Sequence, residues 1–85
     1  MHMVSHIYTV ILEPQPEGGF IVTVPALPEV QSAGDSESDA LAKAHDAIAV
    51  VLTFRRDYDM AIPSDVVPLL RTVMVEVQEE KFSDS

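Results

Sequence analysis

An α+β sandwich, four strands and one helix in the order β-β-β-α-β, is the fold this sequence predicts. Three observations carry it. Four short segments are rich in β-branched residues or alternate apolar with polar, one long segment has the period of an amphipathic helix, and prolines and glycines punctuate the joins. The sheet is expected to be mainly antiparallel, with the helix on one face. A chain of 85 residues suits one domain, drawn over 1–80, with a polar, disordered tail at 81–85.

The first strand is 6–13 (HIYTVILE). Tyr8, Val10 and Leu12 form one face, Ile7, Thr9 and Ile11 the other, and both are apolar enough to place the strand centrally. Pro14 ends it. The connection PQPEGG turns the chain, with Gly18 and Gly19 able to supply positive φ. The second strand, 20–24 (FIVTV), returns to close a hairpin. Pro25 and Pro28 mark a bend at a sheet edge, because proline donates nothing to a ladder. A short third strand, 29–33 (EVQSA), precedes Gly34.

The helix begins at Ser36, an N-cap residue with Asp39 three positions on in place of the usual Glu of a capping box. Leu41, Ala44, Ile48, Val51 and Leu52 share one face, with Ala47 and Phe54 on its shoulder. Asp39, Lys43, Asp46, Thr53 and Asp57 lie opposite. Arg55 and Arg56 suit the negative end of the dipole. Val50 projects into the polar face and is a candidate contact with another subunit. The stretch 58–70 (YDMAIPSDVVPLL) reads as loop. In 72–78 (TVMVEVQ), Val73, Val75 and Val77 alternate with Thr72, Met74, Glu76 and Gln78, which reads as a half-buried fourth strand. One helix covers only one face of such a sheet. Ile7 and Ile11 are apolar on the other, so a homo-oligomer, a dimer or larger, is expected.

Composition narrows the function. There are no cysteines, so disulfides and thiolate zinc sites are excluded. The opening MHMVSHIY lacks the features of a signal peptide, and the apolar run 47–52 is far short of the about 20 residues that span a bilayer. A cytoplasmic protein without a membrane partner is expected. Fourteen acidic residues against five basic ones give a net charge of −9. That surface repels phosphate backbones, so direct nucleic-acid binding by this chain alone is not expected, and it would attract a basic protein.

No catalytic, cofactor or metal site is predicted. Asp35, Glu37, Asp39 and Asp46 have the spacing of calcium-loop positions 1, 3, 5 and 12, but Ala40 stands where that loop needs glycine and the window runs into the helix. Acids in a first helical turn are expected from the dipole alone. His2 and His6 lie near the terminus, and His45 is alone on the helix. No serine sits in a nucleophile elbow, and Gly18-Gly19 is a turn rather than a phosphate loop.

One ordered series of short motifs remains. It comprises Tyr8 to Leu12, Glu17-Gly18-Gly19-Phe20, Val24-Pro25-Ala26-Leu27-Pro28, Gly34-Asp35-Ser36, Asp39-Ala40, Ala44, Ala47-Ile48 and Ile62-Pro63. Over about residues 7–64 it resembles the HicB-like antitoxin family. Glu29 stands where that family often has glycine, and Ala26 where it often has aspartate. The resemblance implies a partial ribonuclease H-like fold without catalytic carboxylates. It also implies binding to a small basic HicA toxin, a messenger-RNA-cleaving ribonuclease whose active site the antitoxin masks. The DNA-binding segment that many members carry at their C-terminus is expected to be absent here. Alternatives are an orphan oligomeric module of the same fold with no toxin partner, or a metal-dependent hydrolase using some carboxylate pair. For the inhibitor reading, charge and expected exposure single out Glu13, Glu17, Glu29, Asp35 and Glu37 as partner contacts, with Ile7, Ile11 and Val50 for self-association.

Overall fold

Residues 3–79 are described by the computed structural model, in which β1 (Ile11–Pro14), β2 (Phe20–Thr23) and β3 (Gln31–Gly34) precede the helix α1 (Glu37–Asp57). The strands form an antiparallel meander of order β1-β2-β3, in which Leu12 pairs Val22 and Val22 pairs Ser32. The hairpin turn closes as the residues predict. The Gly18 N–H donates to the Gln15 carbonyl at 2.9 Å around Pro16 and Glu17, and Gly18 and Gly19 take φ of +103° and +82°. Only glycine enters that region without strain.

Past Thr23 the chain makes two successive turns. The Leu27 N–H donates to Val24 and the Val30 N–H to Leu27, each at 2.9 Å, with Pro25 and Pro28 at the second turn positions where their fixed φ belongs. The bend thus carries Val24, Leu27 and Val30 into the core, all nearly inaccessible to water. These turns take up Glu29 and Val30, so β3 begins at Gln31 rather than at Glu29.

The helix starts where predicted. The Ser36 hydroxyl accepts from the Asp39 N–H at 3.1 Å. Asp39 reaches back to the Asp35 N–H rather than to the cap residue's own, at 3.0 Å. The far end closes in a Schellman motif. The Met60 N–H reaches the Arg55 carbonyl at 2.7 Å and the Asp59 N–H that of Arg56 at 3.2 Å, with Asp59 in the left-handed region at φ +55°. Ala40 and Ala44 press onto Val22, with Val10, Leu12 and Phe20 around them. Tyr8, Val10, Ala47, Ile48, Val51 and Leu52 enclose Val24, Leu27 and Val30. Small residues at 40 and 44 bring the helix so close that a Cβ on Gly34 would collide with the backbone nitrogen of Ala40.

Two expectations are corrected. Among the described residues there are three strands rather than four: 72–78 pairs with nothing, and its valines are exposed. The predicted first strand, 6–13, is reduced to a ladder beginning at Ile11, because β2 has left at Pro25 and residues upstream have nothing to pair with on that side. Segments after the helix take part of its place. The Tyr8 hydroxyl donates to the Pro63 carbonyl at 2.6 Å. Asp65 accepts from the Thr9 N–H at 2.8 Å and from its hydroxyl at 2.7 Å. The predicted tail at 81–85 and His2 lie outside the described residues.

Gly34→Ala forces backbone apart where no side chain can yield. A loss of about 3 kcal/mol or more, some 10 °C or more in Tm, is expected in thermal denaturation. Asp59→Gly relieves the left-handed residue and should raise stability by about 0.5–1 kcal/mol, seen as an upward shift of the same transition.

Candidate functional site

The meander's register gathers four of the five acids singled out for partner contact. Glu13 lies across from Ile21, which pairs Ala33, and the next rung is Pro14, Phe20 and Gly34. The hairpin turn with Glu17, the β3–α1 link with Asp35 and the first helical residue Glu37 therefore emerge at this one end of the sheet. All four acids are exposed. Among the described residues no hydrogen bond or ion pair engages their carboxylates. A shallow depression of about 290 Å³ lies beside them, walled by Gln15, the Gly18-Gly19 turn, Gly34, Asp35 and Lys43.

The helix start is held by its own groups. Asp39 is kept below the usual carboxylate range first by the Asp35 N–H and then by Lys43, whose ammonium lies 3.3 Å away. Asp39 thus caps the chain and offsets the local cation, while Asp35 and Glu37 face solvent. Fixed N–H groups at a helix start hold acids in place without any ion. Among the described residues, no three His, Asp or Glu side chains converge as a metal shell.

Glu29 stands apart at the opposite end. Its carboxylate accepts from Arg55 Nη2 at 2.7 Å and Nε at 3.2 Å, and Arg55 Nη1 donates to the Ala61 carbonyl at 3.0 Å. One guanidinium thereby ties the β2–β3 turns and the segment after the helix to the last helical turns. The position that departs from the glycine of the motif series is half of an internal clamp. Arg55 also holds the Glu29 carboxyl below its ordinary value.

The residues expected at a self-contact lie on different elements, with Ile7 among the residues that line a groove beside Leu41 and Ala44. Val50 is 69% exposed on the outer side of α1, Ile7 is 86% exposed upstream of β1, and Ile11 is half-buried in β1. Asp65 carries no mark in the sequence. It lies two residues past Pro63 in a stretch that reads as loop, and its partner Thr9 is 56 residues away. No local signal marks a carboxylate that will cap a distant strand.

Glu13, Glu17, Asp35 and Glu37 thus present four carboxylates without internal partners at one end of the sheet, among the described residues. Over residues 8–84 the sequence matches the family model described as HicB_like antitoxin of bacterial toxin-antitoxin system. It is 39% identical over 56 residues to Antitoxin HicB 1 of Photorhabdus laumondii subsp. laumondii, an alignment covering 66% of this chain and 36% of that protein. The chain thus spans little more than a third of that relative's length.

The folded Glu29 carboxyl titrates below its ordinary 4.5, so the clamp's contribution is complete above that pH and fades as pH falls through the depressed folded value. Arg55→Met should lower Tm at pH 7, and the gap to the parent protein should narrow on acidification toward pH 3. A gap of constant size in denaturation curves across that range would remove the ion pair as its cause.

Proposed function

This chain belongs to the HicB-like antitoxin family, and from that membership we propose that it binds and neutralises a small, basic, messenger-RNA-cleaving toxin of the HicA type. The observation that carries the reading is the family match over residues 8–84, which takes in the strands, the helix and the segment beyond it. The partial ribonuclease H-like fold expected of the family is supported by the β-β-β-α order with one helix packed against the sheet. Neutralisation proceeds by occlusion. A basic cleft that attracts messenger RNA is also attracted to an acidic protein, and occupying it excludes the RNA.

The docking face is the acidic end of the sheet, Glu13, Glu17, Asp35 and Glu37. These carboxylates need not be stripped from internal partners before they meet a cation, which lowers the cost of binding. Glu29 takes no part, since a toxin arginine would have to displace Arg55 from both of its hydrogen bonds. The net charge of −9 adds long-range steering, so association is fast at low salt and slows as the Debye length shortens. A toxin that acts on messenger RNA places the encounter in the cytoplasm. Among the described residues, no helix is long and apolar enough to cross a membrane.

Co-expression with a small basic toxin of the HicA type from the same operon, where one is encoded, should yield a co-purifying complex and restore growth that the toxin alone arrests. No complex and no rescue would sink the proposal. Within it, Glu17→Lys with Glu13, Asp35 and Glu37 intact should slow association several-fold at low ionic strength without changing Tm, and the difference should shrink in high salt. Glu29→Lys should instead lower Tm. Association rates from stopped-flow mixing separate the two, and an unchanged rate for Glu17→Lys would remove this end of the sheet as the docking face.

A further inference from the structure

The segment 72–78 has the pattern of a strand and no sheet to belong to. Val73, Val75 and Val77 are 81%, 72% and 80% exposed. The radius of gyration is 19.2 Å, where a compact chain of this length has about 12 Å, and the long dimension of 76 Å contrasts with 26 and 19 Å across. The residues after Asp65 therefore leave the body as an arm. An isolated extended arm has neither ladder bonds nor burial to offset its ordering.

The body carries a matching gap. β1 is an edge strand. Alternate residues of an antiparallel strand turn their backbone groups toward the same neighbour. Gln15 donates its N–H to Gly19, so the odd-numbered residues of β1 face β2, and Thr9 continues that parity by donating to Asp65. Tyr8, Val10 and Leu12 accordingly turn their N–H and C=O groups to the outer edge. Among the described residues, the N–H groups of Tyr8 and Val10 have no backbone partner. Upstream of β1 the His6 and Tyr8 rings stack on one side of the chain, their centroids 6.3 Å apart, as alternate side chains of an extended segment can.

Apolar surface accompanies the edge. The helix packs over β3 and β2 rather than β1. Its uncovered flank and the chain upstream of β1 enclose a groove of about 340 Å³ whose lining includes Tyr8, Val10, Leu41, Ala44, His45 and Ile48. Leu41, on the apolar face of the helix, is 39% exposed there.

We propose that two copies of this chain exchange their 72–78 segments, each adding as a fourth strand to the outer edge of the other's β1. Val73, Val75 and Val77 enter the partner copy's groove against Leu41, Ala44 and Ile48, and Thr72, Met74, Glu76 and Gln78 take the opposite face. The alternating pattern and the four-strand expectation are then both met, by strand addition between copies. A second copy is favoured over the chain's own arm because Asp65 is held by the Thr9 N–H on the inner side of the strand, across from the free edge. One arm and one edge per copy close a two-fold pair. Charge favours the same seam: copies of net charge −9 repel, but 6–12 has no acid and 72–78 has only Glu76.

Light scattering on the full chain at micromolar concentration should report twice the chain mass of 9.3 kDa. Val75→Pro, which removes a ladder N–H, should halve that mass while the helical circular dichroism is unchanged. Val75→Asp repeats the test without altering the backbone, and Val50→Asp on the outer helix face should leave the dimer intact. Amide exchange at Tyr8 and Val10 should be slow in the parent protein and fast in the Val75 variants. A monomeric parent protein, a dimer that survives both Val75 variants, or a dimer dissolved by Val50→Asp would overturn the proposal. Slow exchange at Tyr8 and Val10 in a monomer would overturn it too, by showing that the arm folds back on its own body.

Discussion

Pro25 takes β2 out of the ladder, and much of the molecule is arranged around the gap that follows. With no N–H to offer and φ held near a turn value, it sends the chain from Val24 into two consecutive turns instead of further along β1. Residues upstream of Ile11 lose their neighbour on that side, and a buried or half-buried N–H without an acceptor is costly. Asp65 supplies one for Thr9, while Pro63 accepts from the side-chain hydroxyl of Tyr8. The same turns drive Leu27 under the helix and bring Glu29 to Arg55, which in turn holds Ala61. One missing rung therefore determines where the chain after the helix is fastened.

The other side of the sheet is governed by closeness. Ala40 and Ala44 face Val22, and Gly34 meets the first helical turn with no room for a methyl group. This glycine serves approach rather than backbone conformation, unlike Gly18 and Gly19. Tight packing at β3 also sets the helix off-centre, leaving Leu41 and Ile48 beside an open flank on the β1 side. The acids before the helix are accounted for by the same junction. Asp39 is engaged by the Asp35 N–H and by Lys43, and what remains outward is charge without a local partner.

Two kinds of surface result, and they lie in different places. The hairpin-turn end is acidic and exposed. The outer edge of β1 is unpaired and flanked by an apolar groove. The toxin face and the self-pairing seam proposed above therefore involve different residues, and occupying one leaves the other open.

From residues alone came every element whose cause is local: the positive-φ glycines of the hairpin, the Ser36 cap, the apolar helix face and the prolines that forbid a ladder. The ordered motifs likewise placed the family, because they encode turns and close approaches that a sequence records directly. Tertiary structure decided the rest. Glu13 and Glu29 look alike in sequence, yet one is free and the other is clamped, since only the fold brings Arg55 across 26 residues to Glu29. The alternation of 72–78 is a true statement about strand propensity, but a strand exists only with a neighbour, and whether this chain provides one depends on where Asp65 and Pro63 hold the segment before it. Periodicity is a property of the segment, whereas pairing is a property of everything around it.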